Sequence, residues 1–321
     1  MSYSFHIKLN PAAPYDFGLS ARIFTDGDPQ ISKFENGGFW QVIRADNKLI
    51  LIGVESTGTL DKPELSIGLK SNEKVSDDDR DLTKNTITSI LNLDFNLKPF
   101  YEEVKNDPIM AKLTNELRGL NNPSTPTVFE AMVSSIIEQQ ISLKAAHSIA
   151  RRMVKTFGDK LEIEDKIYYA FPTPQKLASL TKEELRECGL SFRKSEYIID
   201  LSKQIVAGTL NLEKLKEYKD VDEIIEELSK IRGVGVWTSE LAILRGMHKL
   251  EAFPADDIGL RRAISHYYCE YRRISADEAR KIASKWGKWK GLAGFYLIVA
   301  ETMSVELKSK ADTISTELKT E

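Results

Sequence analysis

Cysteine is nearly absent from this chain: Cys188 and Cys269 are the only two in 321 residues. Two thiols exclude a disulfide framework, fit a reducing, cytoplasmic compartment, and cannot build a four-cysteine iron–sulfur site. Histidine is also scarce, and His6, His147, His248 and His266 show no zinc-ligand spacing. No apolar run approaches the length of a membrane span, and the amino terminus lacks the charged start and apolar core of a secretory signal. No internal repeat is evident. Net charge is only −3, which argues against indiscriminate attraction to nucleic acid. What is present is an ordinary globular composition, 41% hydrophobic and 29% charged, with length for two or three domains.

The charge is unevenly spread. Between residues 228 and 290 there are 13 basic and 7 acidic side chains, a local basic surface suited to phosphate. The same stretch holds a distinctive pattern. Val221, Ile224, Ile225, Leu228 and Ile231 recur at helical spacing, as do Leu241, Ile243 and Leu244 beyond them. Between lies Gly233-Val234-Gly235-Val236-Trp237-Thr238. The two glycines permit unusual backbone angles and leave no side chain over the peptide N–H groups. At a helix start those N–H groups favour an anion such as a phosphate. About twenty residues on comes Pro254-Ala255-Asp256-Asp257, opening a helix with Leu260 and Arg262.

Hairpin and acidic turn at this interval resemble the helix-hairpin-helix, Gly/Pro–Asp superfamily of DNA glycosylases, and within it the alkylpurine glycosylases of the 3-methyladenine type. The resemblance implies a catalytic aspartate that stabilises the positive sugar formed as a base departs. Asp257 has the required register, with Leu260 three on and Arg262 five on, whereas Asp256 is expected to cap the helix or tune its neighbour. Bifunctional members carry a lysine nucleophile where Trp237 stands here, so the expected enzyme is monofunctional, with water as nucleophile and no strand cleavage. Trp237 is expected to stack on an extruded base, within an aromatic pocket that attracts cationic alkylpurines. Leu241 and Ile298 stand where a gap-free alignment places pocket aromatics, leaving Tyr197, Trp286, Trp289, Phe295 or Tyr296 as substitutes.

The resemblance also implies DNA contacts. In Glu138-Gln139-Gln140-Ile141-Ser142 a glutamine is expected to wedge into the duplex, Gln140 ahead of Gln139. Arg193 and Lys194 start a helix near DNA, and Gly233, Val234, Gly235 and Thr238 contribute from the hairpin. The carbonyls of Ser229, Ile231 and Val234 are the candidate ligands of a monovalent cation, K+ or Na+. No other cofactor is expected, and the iron–sulfur cluster of one branch of the family cannot be built. The expected partner is double-stranded DNA with a damaged base, met by a monomer and away from membranes.

Along the chain the expected fold is α+β. Strand-like runs at 20–24, 39–44, 49–54 and 63–69, with Asp46-Asn47 as a hairpin turn, predict an antiparallel sheet domain over 1–105. A polar stretch, 76–84, precedes a helix around Ile87 and Ile90. Helical periodicity then dominates 106–306, read as two helical subdomains with the active site between them. Thr127 caps one helix, 158–176 is a polar connection, Thr181 opens a capping box, and 307–321 is a flexible tail. Two rival functions are an oxidised-purine (8-oxoguanine-type) glycosylase with lyase activity, opposed by Trp237, and a non-catalytic hairpin module, opposed by Asp257.

Overall fold

Alternating apolar residues in the first quarter of the chain form a five-stranded sheet. The computed structural model describes residues 3–25 and 27–306, so the expected tail at 307–321 lies outside the described residues. Strand β1 (Tyr3–Leu9) leads to helix α1 (Phe17–Phe24), then to β2 (Ser32–Glu35), β3 (Gly38–Ala45), β4 (Lys48–Ser56) and β5 (Leu65–Ser71). The spatial order is β1-β5-β4-β3-β2 and each neighbouring pair is antiparallel. Ala45 pairs with Lys48, so Asp46-Asn47 is the two-residue turn expected, with Asp46 at φ 51°. One face of the sheet, including Phe39, Ile43, Ile52 and Ile67, is buried against Ile87 and Ile90 of α2 (Asp77–Ile90).

Two local readings are corrected here. Residues 20–24 are helical, not extended, because Asp16 accepts a hydrogen bond from the Leu19 N–H and caps α1. Helix α2 begins within the polar stretch rather than after it. Ser76 and Asp79 form a capping box there, and Asp77, Asp78 and Asp79 complement the helix dipole.

Helices α3 (Lys98–Val104) and α4 (Pro108–Glu116) leave the sheet. Leu97, Phe100, Met110 and Leu113 share a core with Leu260, Trp286, Leu292 and Tyr296, so this segment builds into the carboxy-terminal helices. The chain continues through α5 (Val128–Glu138), α6 (Leu143–Phe157), β6 (Lys160–Ile163) and β7 (Lys166–Tyr169). There follow α7 (Pro174–Ala178), α8 (Lys182–Glu187), α9 (Phe192–Val206), α10 (Val221–Ser229) and α11 (Val236–Gly246). Thr127 caps α5 and Thr181 forms a capping box with Glu184 on α8, as the sequence predicts. The expected polar connection at 158–176 contains the β6–β7 hairpin. Leu161 and Ile163 alternate out of solvent and cover Val42 and Leu51 on the outer face of the sheet.

A second helical core gathers Met132, Ile136, Ile198, Ile224 and Ile243 from α5, α9, α10 and α11. The chain closes with α12 (Ile258–Tyr268), α13 (Ala276–Ala283) and α14 (Lys290–Thr302), which return to the core built on α3 and α4. The two helical cores and the sheet meet around one cleft. Among the described residues no helix is long and apolar enough to cross a membrane.

Candidate active site

The turn between α10 and α11 is held tightly from beneath. Gly233 has φ +83°, and a Cβ there would lie 2.2 Å from the Tyr197 ring. Both facts require glycine. Tyr197 is thus the floor of the hairpin, which corrects its expected place in a base pocket. Gly235 caps α11 with no side-chain hydrogen bond and has open space where a Cβ would stand. The first N–H groups of α11 therefore keep their capacity for an outside acceptor. Val234 buries its side chain in the core, leaving its backbone at the turn.

Three polar residues expected at DNA make hydrogen bonds within the protein. Gln139 Nε2 donates to the Gly233 carbonyl at 2.8 Å and to Thr238 Oγ1 at 3.0 Å, and Thr238 is buried. Lys194 Nζ donates to the carbonyls of Ile137 and Gln139 at 2.8 and 2.5 Å, and burial lowers its pKa. These bonds satisfy the last carbonyls of α5, which an isolated helix leaves unpaired. The end of α5, the start of α9 and the hairpin thereby form one unit. Gln140 stands free of this clamp, exposed and with φ +55°. Arg193 is also exposed.

Twenty residues past Trp237, the acidic turn places its two carboxylates differently. Asp257, not Asp256, is the cap of α12: its Oδ1 accepts from the Leu260 N–H at 2.8 Å. Its Oδ2 accepts from the Trp237 indole N–H at 3.3 Å. The carboxylate is thus oriented by two donors at the positive end of a helix, and is partly open to solvent. Asp256 is exposed, with its carboxylate 4.0 Å from Arg280. Arg280 also bonds Glu240 at 2.8 Å and the Phe253 carbonyl at 3.1 Å. Burial raises the Glu240 carboxyl and Arg280 opposes the rise. Arg280 thus ties α11 to the loop that carries Asp257.

Beside that loop opens a cleft of about 410 Å³. Leu241, Phe253, Pro254, Leu260, Phe295 and Ile298 form its wall at this end. Of the aromatic residues expected in a pocket, only Phe295 lines it. Trp237 is turned to Asp257 and is not among the cleft residues. Trp286 is fully buried and donates its indole N–H to Asp107 at 3.1 Å. Tyr296 is fully buried, with its hydroxyl on the Leu120 carbonyl at 2.7 Å. Trp289 packs against Phe95 and Phe100. Trp286 and Tyr296 belong to the carboxy-terminal core because their polar atoms find partners there, and Trp289 packs against the same core through its ring.

Residues 133–288, which span the hairpin and the acidic turn, match the HhH-GPD superfamily of base excision DNA repair proteins. A DNA-3-methyladenine glycosylase of Bacillus subtilis is 36% identical over 64% of this chain and 67% of its own length. The chain belongs to the HhH-GPD superfamily. A solved 3-methyladenine DNA-glycosylase from Archaeoglobus fulgidus is 28% identical and superposes with a TM-score of 0.80, over 94% of this chain and 100% of that one. The 8-oxoguanine glycosylase/lyase of Clostridium acetobutylicum, solved with double-stranded DNA, covers 94% of this chain and 99% of its own with a TM-score of 0.73. At 24% identity that likeness speaks for the fold alone.

As a member of the HhH-GPD superfamily the chain shows two supports that local sequence reasoning missed. Glu240 reads as one acidic residue within an apolar helix, and Arg280 as a solvated charge on a capping-box helix. No local signal pairs residues 40 apart. The clamp by Gln139 and Lys194 is similarly invisible, since both lie at helix ends where exposed polar residues are usual.

Proposed function

We propose that this protein is a monofunctional DNA glycosylase of base excision repair. It extrudes alkylated purines of the 3-methyladenine type from double-stranded DNA and hydrolyses their N-glycosidic bond. The observation that carries this reading is Asp257, its carboxylate fixed by the Leu260 and Trp237 N–H groups beside an apolar cleft. As the base departs, the sugar gains positive charge, and a carboxylate held in place stabilises that charge without reorganising. Water completes the reaction. Trp237 supplies no amine for a Schiff base, and its one polar atom is donated to Asp257.

The named activities of the Bacillus and Archaeoglobus relatives support the substrate class. A purine alkylated on nitrogen carries positive charge and leaves readily, so one carboxylate suffices and no general acid is needed. The largely aliphatic wall formed by Leu241, Leu260 and Ile298 excludes water, and Phe295 offers the aromatic face. The open amides of Val236 and its neighbours, with Arg193, grip the backbone, and Gln140 fills the gap left by the extruded base. A single copy carries all these groups. The carbonyls of Ser229, Ile231 and Val234 fit a monovalent cation, since they are neutral oxygens at and just past the negative end of α10. Ile231 already accepts from the Val234 N–H at 3.0 Å, which leaves its second lone pair.

Asp257→Asn should lower release of methylated purines by at least about 100-fold while DNA affinity holds. Asp256→Asn should keep most of the activity. The reverse pattern would move catalysis to Asp256.

A further inference from the structure

An ion pair is set into the largely apolar wall of the cleft. Glu138, the last residue of α5, and Arg245, near the end of α11, both line it. Arg245 Nη1 donates to Glu138 Oε1 at 2.6 Å. The pair does not use up the carboxylate. Among the described residues Glu138 Oε2 has no hydrogen-bond partner, and the atom is not shut off from solvent. The side chain keeps 15% of its surface exposed. A charged acceptor thus stands free on a hydrophobic wall, where a ligand donor meets little competition from water.

Its place relative to Asp257 follows from α11. Trp237, in the first turn, donates to Asp257, and Leu241, Leu244 and Arg245 follow on the cleft side. From Trp237 to Arg245 the helix rises about 12 Å at 1.5 Å per residue. A purine whose C1′ stands at Asp257 extends past Leu241, with its N1 and C6 edge towards Glu138. That edge carries a donor, N6–H in adenine or N1–H in guanine and hypoxanthine. Of the other charged groups on the cleft, Arg151 lies near Asp28, and His147 lines it from α6. Glu130 is a neutral acid at pH 7, because burial pushes its carboxyl up to about 8.

We propose that Glu138 selects the charge of the extruded base. Its Oε2 accepts the edge N–H of a cationic N-alkylpurine and disfavours a neutral purine such as hypoxanthine. This rests on the glycosylase reading above. The reason lies in the balance of charge. An N-alkylated purine enters with one positive charge, takes the electron pair of the breaking N-glycosidic bond, and leaves neutral. A neutral purine takes the same pair and leaves as an anion unless a proton arrives. In both cases water adds to C1′ and releases a proton. A carboxylate at the base edge repels the growing anion, and more strongly in an apolar cleft than in water. Arg245, bound at the other oxygen, offsets only part of that charge. Glu138 is thus a repulsive element against the wrong substrate as well as an acceptor for the right one.

The test uses the full chain on two duplexes, one carrying 7-methylguanine and one hypoxanthine. Single-turnover base release is measured above the rate without protein. Glu138→Gln keeps a side-chain bond to Arg245 and removes the negative charge. It should raise hypoxanthine release relative to 7-methylguanine about tenfold, the worth of one hydrogen bond to a charged group. Glu138→Asp keeps the charge and should hold the ratio close to that of the natural protein. Arg245→Gln leaves the carboxylate unbalanced and should lower the ratio, so it reads the same effect should Glu138→Gln fail to fold. An unchanged ratio in Glu138→Gln and Arg245→Gln, or equal slowing of both bases, would overturn the selector and leave the glycosylase reading intact. Release of neither base by the natural protein would remove both.

Discussion

Asp257 owes its geometry to one backbone donor and one side-chain donor. The Leu260 N–H comes with any helix cap, but the Trp237 indole N–H is specific to this hairpin. Trp237→Phe keeps an aromatic ring and removes the donor. Single-turnover base release should fall about tenfold, since a hydrogen bond to a charged group contributes about 1.5–3 kcal/mol, with DNA affinity unchanged. An unaltered rate would show that the bond does not orient the carboxylate. Glu130 gives a second residue-level expectation. Its carboxyl is raised from 4.5 to about 8 by burial, so the folded chain binds this proton more tightly than the unfolded chain. That contribution to stability is complete below pH 4.5 and is lost as pH rises towards 8. Melting of Glu130→Gln across this range should show a shallower decline than the natural protein, and parallel curves would contradict the assignment. The register of Asp257 with Leu260 was legible in the sequence. The pocket aromatics were not. Trp286 and Tyr296 have the same local pattern whether they face a ligand or a core, and only Asp107 and Leu120, far away in the chain, decide.

At the scale of elements, strong local signals survive and weak ones give way to packing. Caps at Thr127 and Thr181 and the Asp46-Asn47 turn were readable because their physics is confined to a few residues. Helix α1 has the local pattern of a strand, since its short β-branched and apolar run carries no helical period long enough to see. The β6–β7 hairpin leaves little trace in the sequence because two alternating residues, Leu161 and Ile163, are too few to register. The link from α13 to α11 is likewise tertiary. Arg280→Ala would leave the buried Glu240 carboxylate without its partner and the Phe253 carbonyl with only the Ala255 N–H as donor. Chemical denaturation should show a loss of about 3 kcal/mol. Base release by the folded variant should slow, because the loop carrying Asp257 loses a tether. Unchanged stability would mean that water replaces the guanidinium.

Across the whole molecule, the sheet and two helical units line one cleft, and the loop that carries Asp257 reaches it from the carboxy-terminal unit through Phe253 and Pro254. The sequence separated a sheet region from a helical region correctly. It did not show that 97–104 packs with the last helices, because that core joins segments about 160 residues or more apart. Nor could it show that the sheet domain contributes Gln41 and Ile31 to the lining of the cleft. The proposed function makes this arrangement a site of hydrolysis by a fixed carboxylate with no covalent intermediate on lysine. The most direct measurement follows purified protein on methylated duplex DNA, scoring free base and strand breaks separately, with borohydride added to a parallel sample. Free methylated purine, intact strands that break only on heating or alkali, and no trapped protein–DNA adduct are the predicted result. An adduct that maps to a lysine and disappears when that lysine is replaced would contradict it.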